Sequence, residues 1–118
     1  MSQPCRDRDI AITPHPGRVS VRFAGRIIAE TDAALDLAEP GHPVRIYLPR
    51  ADVAADAMTD SGTRTTCPYK GIAAHHHLRS GAETAPDAVW YYPDPCPQAA
   101  AIRDHVSFRG DAVAVERT

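Results

Sequence analysis

Residues 65–71, Thr-Thr-Cys-Pro-Tyr-Lys-Gly, set a thiol, a phenol and an ammonium within one short turn. Pro68 fixes its own φ and drives Cys67 into an extended conformation, so a strand should end at Cys67 and turn through Tyr69 and Lys70 to Gly71. A four-residue turn brings its ends within about 7 Å, which puts the Lys70 ammonium in range of the Cys67 thiol and favours the thiolate. That is the chemistry of a nucleophilic or redox cysteine. The same residues also make an ordinary corner, with Cys67 a small buried hydrophobe, Lys70 in water and Gly71 supplying positive φ.

A second group lies at 90–95, Trp-Tyr-Tyr-Pro-Asp-Pro. Asp94 sits between two prolines that stiffen the backbone on both sides and hold its carboxylate in one direction. On a strand, Trp90 and Tyr92 share a face opposite Tyr91, where they either wall an apolar pocket with polar tips or fill a core. The candidate catalytic set is therefore Cys67 and Lys70, with Asp94 as acid or base. The histidine triplet at 75–77 adds metal chemistry to the alternatives. His75 and His77 share one strand face, and zinc accepts imidazole together with thiolates such as Cys67 and Cys96. No Cys-x-x-Cys knuckle is present. An exposed polar strand edge is the leading account of the triplet, no cofactor is expected, and zinc through His75 and His77 is the subsidiary alternative.

The elements that must position these residues are short. Residues 1–17 hold three prolines and several charges without periodicity, so they form a loose arm, and the folded domain is expected over 18–118. Val19–Phe23 and Arg26–Glu30 alternate around Ala24-Gly25, the signature of a tight hairpin. Thr31–Glu39 starts with a plausible N-cap and is expected to make one or two helical turns. Val44–Leu48 alternates again. Residues 50–58 fit helix or strand equally. Strands are expected at 63–67, 72–79 and 88–92, a short helix at 98–105, and a last hairpin at 106–116. The sum is a mainly β, compact antiparallel two-sheet single domain, with roughly six to eight strands and one to three short helices.

Composition narrows the function classes. The chain has 118 residues, enough for one core without staples. Its net charge of -2 supplies no basic field for a nucleic-acid backbone. Apolar runs fall far short of the roughly 20 residues that cross a bilayer, and the N-terminus lacks an apolar signal core. A cytoplasmic protein with reduced thiols is expected, so Cys5, Cys67 and Cys96 should form no disulfide framework. A homodimer enters only as a prior, from the frequency of twofold assemblies.

Four stretches, Tyr-Leu-Pro-Arg-Ala-Asp-Val (47–53), Thr-Thr-Cys-Pro-Tyr-Lys-Gly (65–71), Trp-Tyr-Tyr-Pro-Asp-Pro (90–95) and Phe-Arg-Gly-Asp-Ala-Val (108–113), stand in the order and spacing of the DUF427 family. The chain resembles these small, mostly bacterial proteins of unknown function from about Arg18 to Val115. The resemblance implies a tent-like two-sheet fold similar to Mss4-like domains. Its motif positions here include Tyr47, Arg50, Cys67, Tyr69, Lys70, Trp90, Tyr92 and Asp94. The family has been labelled nucleotidyltransferase-like, but two-metal transfer needs strand carboxylates at Asp-x-Asp spacing. The one such pair, Asp7 and Asp9, lies in the arm.

Three functions fit these residues. The first is a small-molecule-binding domain whose pocket uses Arg50, Lys70 and Asp94 as polar contacts for an anionic ligand and Tyr47, Tyr69, Trp90 and Tyr92 as walls. The second is an enzyme built on Cys67 and Lys70, and the third is a protein-interaction domain docking through a strand edge.

Overall fold

The computed structural model describes residues 5–118. Ten strands run in chain order: β1 Ala11–Pro14, β2 Val19–Phe23, β3 Arg26–Thr31, β4 Leu35–Ala38, β5 Arg45–Pro49, β6 Met58–Cys67, β7 Gly71–Ser80, β8 Glu83–Tyr91, β9 His105–Phe108 and β10 Val113–Arg117. Seven of them form one antiparallel sheet in the order β1-β4-β5-β9-β8-β7-β6, and β10-β2-β3 form a second. Three short 3₁₀ turns, Arg50–Asp52, Ala55–Ala57 and Pro97–Ile102, are the helical elements among the described residues. The protein is thus a mainly β, two-sheet antiparallel domain, and no described helix is long and apolar enough to cross a membrane.

The period-two pattern explains how the sheets meet. In β2, Val19, Val21 and Phe23 are buried while Arg22 is exposed. These three face Ile46, Leu48, Val89, Val106 and Phe108 of the large sheet and form the main core with them. Tyr47 of β5, Leu37 of β4, Ala73 of β7 and Tyr92 just after β8 belong to the other face. They build a second core, roofed by Ala99 and Ile102 of the last 3₁₀ turn, with Ile10 and Ile12 of the N-terminal segment packed against it. The large sheet therefore has two dressed faces, and which face a residue belongs to decides which site it can join.

Several expectations are corrected here. The folded part begins before Arg18, because Ala11–Pro14 pairs along β4, with Ile12 opposite Leu37. Residues 31–39 are no helix. The Thr31 hydroxyl accepts the Ala33 N–H at 2.9 Å, making a local turn, and Leu35–Ala38 continues as β4 between β1 and β5. Residues 106–116 are no hairpin either, since β9 pairs with β5 and β8 whereas β10 pairs with β2 in the other sheet. The histidine triplet lies on β7, between β6 and β8, with His75 and His76 buried, so it is not an exposed edge. Finally, Cys5 and Cys96 are joined by a disulfide, leaving Cys67 as the free thiol.

Candidate functional site

The turn expected at Cys67–Gly71 forms, with Cys67 and Gly71 paired across β6 and β7 and Gly71 at φ 119°. Only glycine enters that region without strain. The Lys70 ammonium is paired with a carboxylate. Its Nζ donates to Glu39 Oε1 at 2.7 Å, and both side chains are about nine-tenths buried, at 11% and 9% exposure. Arg8 joins the same carboxylate at 3.4 Å while stacking on the Tyr69 ring, 3.8 Å from its centroid. Burial alone would raise the Glu39 carboxyl, but the hydrogen bonds and charges of Lys70 and Arg8 outweigh it and hold it below the usual carboxylate range.

The N-terminal segment that carries Arg8 is tied onto this turn. Arg6 N–H donates to Pro68 O at 2.7 Å, and the Gln98 amide bridges Arg6 O and Tyr69 O at 2.7 and 2.8 Å. Cys96 N–H donates to Lys70 O at 2.8 Å, so the disulfide stands beside the same backbone.

Beneath the turn lie two phenols. Trp90 Nε1–H donates to Tyr47 Oη at 3.0 Å, and Tyr92 packs in the same cluster, with Cys67 against it. Burial, reinforced by the neighbouring acidic groups, pushes both tyrosines above the ordinary phenol value, so both remain protonated donors.

Two of the expected site residues are elsewhere. Arg50 lies on the opposite face of the large sheet, where its guanidinium stacks over Tyr91 at 4.4 Å and Nη1–H donates to His76 Nε2 at 3.0 Å. Asp94 is on the surface, 82% exposed and 3.3 Å from Arg103. Among the described residues, Pro93, Asp94 and Pro95 line none of the clefts that contain Cys67, Lys70, Trp90 or Tyr92.

Two adjoining clefts open on the outer face, and a third is lined in part by the main-core residues Ile46, Leu48 and Phe108. One, of about 390 Å³, is lined by Arg8, Glu39, Arg45, Cys67, Tyr69 and Lys70. The next, of about 280 Å³, is lined by Arg45, Thr65, His75, Trp90, Tyr92 and Arg109. A smaller one of about 110 Å³ includes Arg45, Trp90 and Arg117. Arg45, the first residue of β5, borders all three. Its guanidinium makes no hydrogen bond or ion pair with any described residue. Sequence pattern alone could not single out Arg45, Arg8 or Glu39, because each stands at a strand end or in a connection without a motif around it, and Arg109, though inside the 108–113 stretch, is not among the expected site residues.

For metal, no group of three His, Cys, Asp or Glu side chains converges among the described residues. His75 Nδ1 is 3.2 Å from Thr63 O, and His77 Nδ1 accepts the Asp87 N–H at 3.0 Å. Asp87 in turn accepts from Ser61 and Thr63, hydrogen bonds that hold its carboxyl below the usual range.

His76 gives a pH prediction. Burial, then the Arg50 charge, lowers its pKa from 6.5, outweighing Asp60 and the Thr59 backbone. Its Nδ1 is buried without a hydrogen-bond partner. Below about pH 6.5 the unfolded chain takes up a proton that the folded one refuses, so stability falls as pH falls. The depressed carboxylates Glu39 and Asp87 lose their contribution as pH falls below their unfolded values of 4.5 and 3.8, under this window. The melting temperature should drop between about pH 7.5 and about pH 5, and His76→Gln should flatten that slope. An unchanged slope in the variant would exclude His76 as its cause.

A family model described as a domain of unknown function (DUF427) matches residues 11–118. No curated protein matches the chain.

Proposed function

The chain belongs to the DUF427 family, and from that premise and the geometry we propose that it is a small-molecule-binding domain for an anionic ligand. The site is the set of clefts around Arg45, walled on one side by the Cys67–Lys70 turn and on the other by Trp90 and Tyr92. The observation that carries the reading is the uncompensated Arg45 guanidinium at their junction. Arg8 and Lys70 share one carboxylate, Glu39, so the first cleft holds more cation than anion even before Arg45 is counted. An arginine with its donors free offers a fork suited to carboxylate or phosphate. Tyr69, Trp90 and the buried phenols give the apolar walls and few polar tips usual in small-ligand sites.

The Cys67 nucleophile is less supported, since the Lys70 ammonium that would activate it is engaged with Glu39. Phosphate and citrate should raise the melting temperature of the wild type more than that of Arg45→Ala, measured at matched ionic strength. The variant controls for the general salting-out effect of such anions. Arg45 is exposed, so its unliganded stability should change by no more than about 0.5 kcal/mol. A specific ligand at a hundredfold excess over Kd adds about 2.7 kcal/mol. Equal shifts in both proteins would remove the reading.

A further inference from the structure

The middle cleft carries a feature that simple anion binding does not use. His75 is 2% exposed and lines the cleft from the centre of β7. Its Nδ1 faces the Thr63 carbonyl oxygen at 3.2 Å. A carbonyl only accepts, so Nδ1 carries the hydrogen, and in the neutral ring Nε2 is left as an acceptor. Nε2 bonds no described residue, yet it is not among the buried unsatisfied atoms. It therefore keeps some solvent exposure, on a ring that lines this cleft.

The rest of the lining defines what would meet that acceptor. Arg45 and Arg109 bring two cations and no carboxylate lines the cleft. Arg109 is anchored by its backbone N–H to Ala88 O at 2.9 Å and by Nε to Asp87 O at 3.1 Å, and its terminal nitrogens make no hydrogen bond or ion pair with described residues. Trp90 is held by its N–H on Tyr47, with the two rings edge to face at 82°, so a fixed aromatic wall borders the cleft. Thr65 adds an exposed hydroxyl. The volume of about 280 Å³ suits one aromatic ring with small substituents.

We infer that this cleft is the recognition subsite for a small aromatic acid that also carries an O–H or N–H donor. The acidic group pairs with Arg45 and Arg109, the ring lies along Trp90, and the donor meets His75 Nε2. A simple anion leaves the histidine acceptor unmatched, and a neutral phenol leaves two guanidinium groups unmatched. The inference rests on the anion reading above for the role of Arg45 and names the ligand class for that site.

Titration calorimetry with the ortho, meta and para hydroxybenzoates tests it, with benzoate and phenol as controls. Trp90 is the one tryptophan of the chain, so its fluorescence reports the site directly. At least one hydroxybenzoate should bind, shift the Trp90 emission, and exceed both controls by about tenfold, the ratio expected of one neutral hydrogen bond of about 1.4 kcal/mol. His75→Leu should bring the hydroxybenzoate down to the benzoate affinity. Should that buried variant fail to fold, Arg109→Ala, at an exposed position, should lose tenfold for the hydroxybenzoate while leaving phenol unchanged. Failure of all three isomers, or benzoate binding as well as each of them, overturns the inference. If phosphate or citrate still stabilises the wild type through Arg45 in that case, the anion reading stands and only the subsite falls. Without that stabilisation both fall.

Discussion

Replacing Glu39 with alanine is expected to destabilise the protein by about 3 kcal/mol. The carboxylate is 9% exposed and holds the Lys70 ammonium, itself 11% exposed, together with the Arg8 guanidinium. Removing it leaves a nearly buried cation with no acidic partner, and that desolvated charge, more than the lost attraction, sets the size of the effect. The value falls toward the lower end for such pairs because Arg8, at 26% exposure, can turn to water. At a urea dependence of about 1.5–2 kcal/mol per molar, the midpoint should move down by about 1.5–2 M. Changing both partners, Glu39→Leu with Lys70→Met, should recover most of the loss, since the pair removed together leaves no orphan charge. A single-variant loss under about 1 kcal/mol would mean that water solvates the ammonium and that the pair behaves as a surface one.

The pH dependence gives the same pair an independent signature. A depressed Glu39 contributes stability that is full above the unfolded value of 4.5 and is lost as pH falls through the folded one. That acid limb should be shallower in the double variant. It lies below the His76 limb, so the two can be separated in one series of melts.

The sequence carried the local half of the architecture. Alternation at Val19–Phe23, the strand expected at Val44–Leu48, the Ala24-Gly25 hairpin and the stop at Pro68 are all written within a few residues and appear as strands and turns, although β5 starts at Arg45 and leaves Val44 exposed. What it hid was pairing between distant segments. Leu35–Ala38 looks helical in isolation because Asp-Ala-Ala-Leu lacks β-branched residues, and only its place between β1 and β5 makes it a strand. The segment at 106–116 reads as a hairpin because a chain that changes sheets after Phe108 keeps the same alternation on both sides. The site divides in the same way. Cys67, Tyr69 and Lys70 are legible because one turn holds them, whereas Glu39, Arg45 and Arg8 reach them from elements whose neighbours in sequence say nothing about it. That Arg50 lies outside the site is not legible, because it opens the 3₁₀ turn after β5, and only its tertiary partners Tyr91 and His76 show which face it joins.

The disulfide between Cys5 and Cys96 carries the second large effect. It closes a loop across 91 residues of sequence, and constraining an unfolded chain over that span is worth up to about 4–5 kcal/mol in the chain-entropy account. That ceiling applies only while the N-terminal segment is docked in the folded state. Arg6 on Pro68, Gln98 on Arg6 and Arg8, and Arg8 on Glu39 and Tyr69 supply the docking. Cys5→Ser, at an exposed position, should therefore lower the unfolding free energy by about 3 kcal/mol, and dithiothreitol should do the same to the wild type and nothing further to the variant. A loss near zero would show that residues 5–10 fray from the turn as soon as the bond is cut, because a segment free in both states gains nothing from being tied. In that event Arg8 leaves the cleft, and Arg8→Ala should match Cys5→Ser in ligand affinity. Under the docked outcome only the stability changes and the anion response of the Arg45 clefts stays as it was.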